Sequence, residues 1–172
     1  MADSYFNANE NEGLSEDSQL AQLVGFVIGK ELFGVSILMV QEIIRSAPIT
    51  AVPNSPDFIE GIINLRGSIV PVIDLRKRLG LYDDNKITDD DIWILILNIE
   101  GRTTGFIVDS VTQVLKIDES TLEPPPDIVV ARLESQYIRG VCKLDEDLLI
   151  LLDFTCILMV DEFKKLKDVV AA

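Results

Sequence analysis

The chain has 172 residues, of which 48% are hydrophobic and 26% are charged, a composition typical of a folded globular protein. Its net charge of -14 predicts no binding to nucleic acid, because the phosphates would be repelled, and no docking on an anionic membrane. Histidine is absent and no phosphate-binding, dinucleotide-binding or calcium-binding motif occurs, so we expect neither catalysis nor a metal or other cofactor.

Residues 1–18 carry five acidic side chains and no lysine or arginine. They predict a disordered acidic tail, because too few apolar side chains are present to form a core. After this tail, short apolar stretches alternate with Gly, Pro and Asp, a pattern typical of β-strands. Ten strands are predicted, in the stretches LVGFVIG, ELFGVS, VQEIIRS, GIINLR, SIVPVID, IWILILNI, TTGFIVD, SVTQVLKI, QYIRGVCKL and DLLILLD.

Helices are predicted at two places, in LRKRLGL after Asp74 and in FTCILMVDEFKKLKD after Asp153, because each aspartate is placed to cap a helix. The apolar runs are far shorter than the roughly 18 to 20 residues of a membrane-spanning helix, and no signal sequence precedes the strands. We therefore expect a cytoplasmic protein without membrane insertion. Cys142 and Cys156 are predicted to be reduced residues of the core.

The predicted strands form an internal repeat. With an offset of 79 residues, 61–75 aligns without a gap on 140–154, and with an offset of 71 residues, 34–43 aligns on 105–114. A residue that recurs in both halves is explained by the fold, whereas one that differs is free to serve a partner. The recurring residues are predicted to be structural: Gly34, Gly61, Asp74, Gly105, Gly140 and Asp153.

Two repeats of about five strands each predict an all-β fold of two five-stranded barrels side by side, which share a core and leave a groove between them. The predicted domain covers 19–160, with the first barrel at approximately 30–80 and the second at approximately 91–155. Whether the N-terminal strand joins the second barrel stays open. Residues 161–172 are predicted to form a helix or a tail.

Arg66 does not recur, because its counterpart is the oppositely charged Asp145. Alternation along the strand predicts that Arg66 faces away from the barrel core, and Gly67-Ser68 is predicted to form a two-residue hairpin turn. Two interpretations of Arg66 follow from these residues. It solvates the end of a hairpin, as exposed charges usually do, or it contacts a partner.

Pro71 and Glu42 also differ between the halves, since they align with Ile150 and Gln113. Proline cannot donate a hydrogen bond to a neighbouring strand, so Pro71 predicts an edge strand, which either invites a partner or is protected from one. The Glu42 carboxylate is not required by the barrel. A lone glutamate in a strand is usually exposed to solvent.

A longer pattern joins these residues. V-Q-E-I is followed by F-I-E-G-I-I-N-L-R-G-S-I-V-P-V-I-D-L-R, and then by G-F-I-V-D-S-V, a P-P-P loop and Y-I-R-G-V. Together these stretches resemble the CheW family of bacterial chemotaxis adaptors over roughly 20–160. The resemblance implies two intertwined five-stranded SH3-like barrels with short helices, including a C-terminal helix, which agrees with the repeat.

The resemblance also implies a function without catalysis. CheW proteins couple chemoreceptors, the methyl-accepting chemotaxis proteins, to the histidine kinase CheA. The cytoplasmic receptor tip packs between the barrels, and the regulatory CheW-like domain of CheA pairs with the barrel ends. We expect a protein that is monomeric in isolation and is recruited to membrane-associated receptor arrays. The residues implied in receptor or kinase binding are Val40, Glu42, Ile43, Arg66 and Gly67.

Two alternatives remain at this point. The first is a CheW-like adaptor of a different pathway, governing pili, gliding or biofilm, since the choice of pathway depends on the partner rather than on the fold. The second is a barrel that binds a small ligand between its halves, with Glu42 and Arg66 as a carboxylate and guanidinium pair. The absence of histidine disfavours the second.

Overall fold

The computed structural model describes residues 20–81, 92–130, 133 and 135–158. All ten predicted strands are present, and we number them in chain order: β1 Leu20–Ile28, β2 Glu31–Ser36, β3 Val40–Arg45, β4 Ile59–Leu65, β5 Ser68–Asp74, β6 Trp93–Ile99, β7 Arg102–Val108, β8 Ser110–Asp118, β9 Ile138–Lys143 and β10 Leu148–Leu152. The tail predicted at 1–18 and the helix or tail predicted at 161–172 lie outside the described residues.

Within the described residues, three short α-helices accompany the strands: α1 Leu75–Leu79, α2 Asp127–Val130 and α3 Phe154–Ile157. Helix α1 and the start of α3 were predicted from their capping aspartates, whereas α2 was not. Single 3-10 turns lie at Ile37–Met39, Glu119–Thr121 and Ser135–Tyr137. In the part of the chain that the structure describes, no helix is long and apolar enough to cross a membrane.

The strands form two interlocked five-stranded sheets, which confirms the predicted fold class. Sheet 1 has the order β8-β1-β2-β10-β9 and sheet 2 the order β3-β6-β7-β5-β4. The sheets do not follow the predicted division at 30–80 and 91–155, because β2 joins strands of the second half while β6 and β7 join strands of the first. Strand β1, whose membership the sequence left open, also pairs with a strand of the second half. Periodicity identifies strands but not their partners, and a repeat looks the same whether or not its halves exchange strands.

The exchange occurs through two parallel strand pairs. In sheet 1, β10 pairs with β2 and places Leu151 opposite Gly34, and in sheet 2, β5 pairs with β7 and places Val72 opposite Gly105. A Cβ atom at Gly34 or Gly105 would lie within about 3 Å of a neighbouring side chain, 3.1 and 3.0 Å respectively. Gly34 and Gly105 therefore lie where strands of the two halves pair with each other.

Buried apolar side chains form three clusters, one within each five-stranded barrel and one shared by both barrels. The interior clusters contain residues of one sheet and its connections, while the largest cluster combines residues of both sheets. Four buried phenylalanine rings lie in this shared core: Phe26, Phe33, Phe106 and Phe154. The ring centroids of Phe106 and Phe154 are 4.9 Å apart in an edge-to-face arrangement. The shared core makes the two barrels one body.

Strand β5 is not at an edge, so the interpretation of Pro71 was wrong. Strand β4 lies on one side of β5 and β7 on the other. Pro71 is opposite Ile62, whose backbone N–H and C=O both bond to Thr50 at 2.9 Å instead. The parallel pairing with β7 begins only at Val72. A proline fits here because neither neighbouring strand needs its missing N–H.

Arg78 contacts residues of both halves of the repeat. Its guanidinium lies 5.0 Å from the ring centroid of Phe58 and 5.1 Å from that of Tyr137, and its Nε donates to the carbonyl of Ile157 at 2.9 Å. Phe58 and Tyr137 are repeat counterparts, and so are Arg78 and Ile157. One side chain therefore contacts both copies of the same structural position.

Replacing Arg78 with methionine is expected to lower the free energy of unfolding by about 2 kcal/mol, because two cation–π contacts and a hydrogen bond are lost. Arg45 provides the control, since its guanidinium also lies 5.0 Å from a ring, that of Trp93, on an exposed strand. Arg45→Met should cost less than about 1 kcal/mol. Urea denaturation of both variants tests this, and equal losses would refute the joining role of Arg78.

The two predicted capping aspartates accept hydrogen bonds from the first turns of their helices. Asp74 accepts from the backbone N–H groups of Arg76 and Lys77 at 3.0 and 3.4 Å, and Asp153 accepts from that of Cys156 at 3.1 Å. Burial raises the pKa of the Asp74 carboxyl above its ordinary value, despite these hydrogen bonds. Since the folded protein holds this proton more tightly than the unfolded chain does, ionisation of Asp74 weakens the fold as pH rises through the raised pKa.

Asp74→Asn is therefore expected to gain stability relative to the parent as pH rises above the ordinary pKa of an aspartate carboxyl, because asparagine caps a helix without carrying charge. Asp118 is a control of opposite sign. Hydrogen bonds from the Ser120 hydroxyl and backbone N–H lower the pKa of its carboxyl, so Asp118→Asn should lose stability relative to the parent as pH rises. Denaturant midpoints measured at several pH values distinguish the two directions.

Candidate partner-binding site

The β4–β5 turn presents the arginine that the sequence singled out. Its two central residues are Arg66 and Gly67, with φ of 52° and 89°, so the predicted turn at Gly67-Ser68 was displaced by one residue. The Asn64 side-chain oxygen accepts from the Gly67 backbone N–H at 2.8 Å and fixes the turn. Positive φ at both central residues defines a type I′ turn, whose twist matches the flanking strands.

The Arg66 side chain extends from this turn to strand β3. Its two terminal nitrogens donate to the two carboxylate oxygens of Glu42, at 2.5 and 3.0 Å. The Arg66 side chain is 75% exposed and that of Glu42 is 28% exposed. An exposed ion pair contributes at most about 1 kcal/mol to stability, but the two-pronged contact fixes the direction of the guanidinium. The pair joins the two edge strands of sheet 2, β3 directly and β4 through its turn.

The other predicted residues lie on the same two elements. Val40 is half-buried against the shared core, and Ile43 is 39% exposed on β3 beside Glu42. Gly67 is exposed, and a Cβ built on it would contact nothing within 4 Å. The structure therefore brings Glu42 and Arg66 into direct contact, exposes Ile43 on the same strand as Glu42, and leaves Gly67 with a conformational role in the turn.

Most of the chain matches one protein family. The sequence model of the CheW-like domain covers residues 22–162. This chain belongs to the CheW-like domain family. The resemblance inferred from the sequence motifs is thereby confirmed.

Individual relatives share both sequence and fold with this CheW-like domain. It is 37% identical to the chemotaxis protein CheW of Klebsiella aerogenes, over 91% of this chain and 96% of the relative. It is 33% identical to the chemotaxis protein CheW of Treponema pallidum, over 86% of this chain and 87% of the relative. The crystal structure of the scaffolding protein TtCheW from Thermoanaerobacter tengcongensis matches with a TM-score of 0.73 at 39% identity, covering 83% of this chain and 90% of that one.

The CheW-like domain exposes further apolar side chains that the sequence analysis did not select. Leu38, in the 3-10 turn before β3, is 92% exposed. Val114 on β8 is 52% exposed and is the repeat counterpart of the exposed Ile43. The repeat alignment could have identified Val114, because it aligns this apolar residue with Ile43 on the equivalent edge strand. The exposure of Leu38 could not be predicted from the sequence, since it depends on a 3-10 turn that hydrophobic periodicity does not reveal.

Two cavities of this CheW-like domain lie away from the ion pair. One of about 530 Å³ is lined by Glu60, Ile92 and the connection 46–51, and one of about 210 Å³ lies against β10. Neither is lined by Glu42 or Arg66. Among the described residues, no group of three or more acidic or cysteine side chains could hold a metal ion. The Glu42 and Arg66 charges are directed at each other, which leaves an exposed surface rather than a ligand pocket.

Proposed function

We propose that this chain is a non-catalytic adaptor that couples chemoreceptors to the histidine kinase CheA in chemotaxis signalling. Its membership of a family of chemotaxis and scaffolding proteins supports this role. One observation carries the choice of surface. An exposed guanidinium is held in a fixed direction by Glu42, on an edge strand that also exposes the apolar Ile43.

The chemistry of this surface suits a protein partner. Ile43, on the same strand as Glu42, and Leu38, in the 3-10 turn before that strand, are exposed apolar side chains, and an apolar helix face is a common occupant of such a surface. In a chain of net charge -14, the Arg66 guanidinium supplies a positive group that selects for a carboxylate or carbonyl on the partner. Charged groups at a rim set orientation and association rate more than affinity.

The two binding roles make separate demands. A receptor tip is a helical hairpin that would pack in the groove between the barrels, whereas the CheA regulatory domain is itself CheW-like and would pair with the ends of the barrels. Val40, Glu42 and Ile43 are assigned to the receptor, and Arg66 with Gly67 to the region that both partners approach. The protein would then reach membrane-associated receptor arrays through its partners rather than through a membrane segment of its own.

Separate titrations of the chain with a receptor cytoplasmic fragment and with the CheA regulatory domain test the proposal. Calorimetry is expected to give dissociation constants of about 10 μM or tighter for each, and no heat with an unrelated kinase domain. Failure of both fragments to bind at about 100 μM would refute the adaptor role.

The comparison with chemotaxis proteins disfavours the alternative adaptor roles in pili, gliding or biofilm. The small-ligand alternative has no support in the two described cavities, since Glu42 and Arg66, the pair that it required, line neither of them.

A further inference from the structure

A carboxylate links the two sheets at a point where the chain passes from one to the other. Asp109 is the residue between β7, in sheet 2, and β8, in sheet 1. One of its carboxylate oxygens accepts from the Gly29 backbone N–H at 2.7 Å, and the other accepts from the Arg76 guanidinium. Gly29 lies in the β1–β2 turn of sheet 1, and Arg76 lies in α1, which follows β5 of sheet 2. The Asp109 side chain therefore contacts elements of both sheets.

Both charges of this link are largely withdrawn from water. The side chains of Arg76 and Asp109 are 14% and 24% exposed, whereas that of Arg66 is 75% exposed. A buried ion pair adds little to stability, because the cost of desolvating two charges offsets their attraction. A hydrogen bond between ionised groups has a defined direction, however, while the apolar contacts of the shared core are non-directional. The link is therefore suited to orienting the two sheets rather than to holding them together.

The repeat contains an equivalent crossing that lacks this link. The offset of 71 residues places Leu38 at the position of Asp109, between β2 of sheet 1 and β3 of sheet 2. Leu38 carries no charge and is 92% exposed. The counterpart of Arg76 in α3 is Thr155, which is exposed and uncharged. Since this crossing forms without a charge pair, the barrel plan does not require Asp109 or Arg76.

One strand connects the link to the candidate partner-binding site. Strand β5 runs from the β4–β5 turn, which carries Arg66, to α1, which carries Arg76. On the other side of the link, Gly29 follows β1, which pairs with both β2 and β8 of sheet 1. A rotation of one sheet against the other would therefore move Arg66 relative to sheet 1.

We propose that Asp109 is a positioning residue that fixes the orientation of sheet 2 relative to sheet 1. It acts through Arg76 and Gly29 and touches neither partner. The consequence for coupling rests on the proposed function: a receptor fragment and the CheA regulatory domain bound to one chain lie in a defined geometry only if its two barrels have one orientation.

The double variant Asp109→Leu/Arg76→Met tests the proposal. It replaces both charged side chains with apolar ones, which is tolerated better than the loss of one partner, and leucine is the residue at the equivalent crossing. Tm is expected to stay within about 4 °C of the parent. Residual dipolar couplings of the backbone amides should fit one alignment tensor for both sheets in the parent, and should need a different tensor for each sheet in the variant.

Glu60→Gln is the matched control, because Glu60 on β4 pairs with Lys77 on α1 at 3.4 Å, within the elements of sheet 2. It removes an ion pair of the same helix and should leave one tensor for both sheets. If the double variant does not fold, Asp109→Asn supplies the measurement, since it removes the charge and keeps the shape of the side chain. A single tensor in the folded Asp109 variant would overturn the proposal.

The consequence for coupling is measured with the two partners. Separate affinities of the double variant for the receptor fragment and for the CheA domain are expected to stay within about twofold of the parent, because Glu42 and Arg66 are unchanged. The amount of CheA that sediments with the receptor should nevertheless fall several-fold. Unchanged co-sedimentation in a variant with two tensors would refute the role of orientation in coupling. If the parent chain itself did not raise co-sedimentation, the proposed function would fail, while the dipolar couplings would still decide the role of Asp109.

Discussion

Gly61→Ala is expected to lower the free energy of unfolding by about 4 kcal/mol, more than any other single substitution considered. Gly61 has a φ of 155°, and a Cβ atom there would lie 2.2 Å from the carbonyl oxygen of Thr50. That oxygen accepts from the Ile62 backbone N–H at 2.9 Å, in the bridge that attaches the connection before β4 to the sheet. The clash is with backbone, so relief requires breaking the bridge.

The repeat supplies the control for this substitution. Gly140 is the counterpart of Gly61, yet its nearest neighbour would be the Leu122 Cβ atom at 3.2 Å. The Glu123 carbonyl oxygen would lie 3.3 Å away. Gly140→Ala should cost about 1 to 2 kcal/mol, because these contacts need a shift of only a few tenths of an ångström, unlike the clash at Gly61. Denaturant titration of the two variants measures the difference. The structural role of these glycines stays a prediction until then, and equal losses would contradict it for Gly61.

Arg66→Glu is expected to weaken binding of the receptor fragment or the CheA regulatory domain at least about tenfold while leaving the fold unchanged. The substitution reverses a charge at an exposed surface and places two carboxylates together, which repels an acidic partner group and frees Glu42. The lost ion pair contributes at most about 1 kcal/mol, so Tm should fall by less than about 4 °C.

The second hairpin of sheet 2 shows that glutamate fits this turn. In the β6–β7 turn, Glu100 has the same φ of 52°, Gly101 follows it, and Asn98 accepts from the Gly101 N–H at 2.8 Å. Glu100→Arg is therefore the matched control, with the reverse charge change in the same turn geometry, and it should leave binding unchanged. Parallel loss of circular dichroism signal and binding in Arg66→Glu would show a structural role instead.

Local features of the fold could be predicted from the sequence because they depend on neighbouring residues. Strand positions follow from apolar stretches bounded by turn residues, and the helix caps at Asp74 and Asp153 follow from the residue type at each boundary. The N-x-x-G pattern beginning at Asn64 contained the turn as well. The predicted position of the turn was displaced by one residue, because Arg66 adopts positive φ although it is not a glycine.

Features that depend on distant contacts could not be predicted in this way. The exchange of strands between halves, the position of β5 inside sheet 2 and the contacts of Arg78 all join residues far apart in sequence. The Glu42–Arg66 contact spans 24 positions. Glu42 and Arg66 were each singled out because they differ from their counterparts in the repeat. Their contact depends on the fold, which brings the β4–β5 turn against strand β3.

Co-sedimentation of CheA with a tethered receptor cytoplasmic fragment, with and without this chain, tests the adaptor role most directly. Adding the chain is expected to raise the amount of CheA that sediments with the receptor several-fold, and Arg66→Glu is expected to abolish the increase while Glu100→Arg preserves it. An unchanged or reduced amount of CheA on addition of the chain would contradict the account, because the two partners would then bind it separately or compete for it.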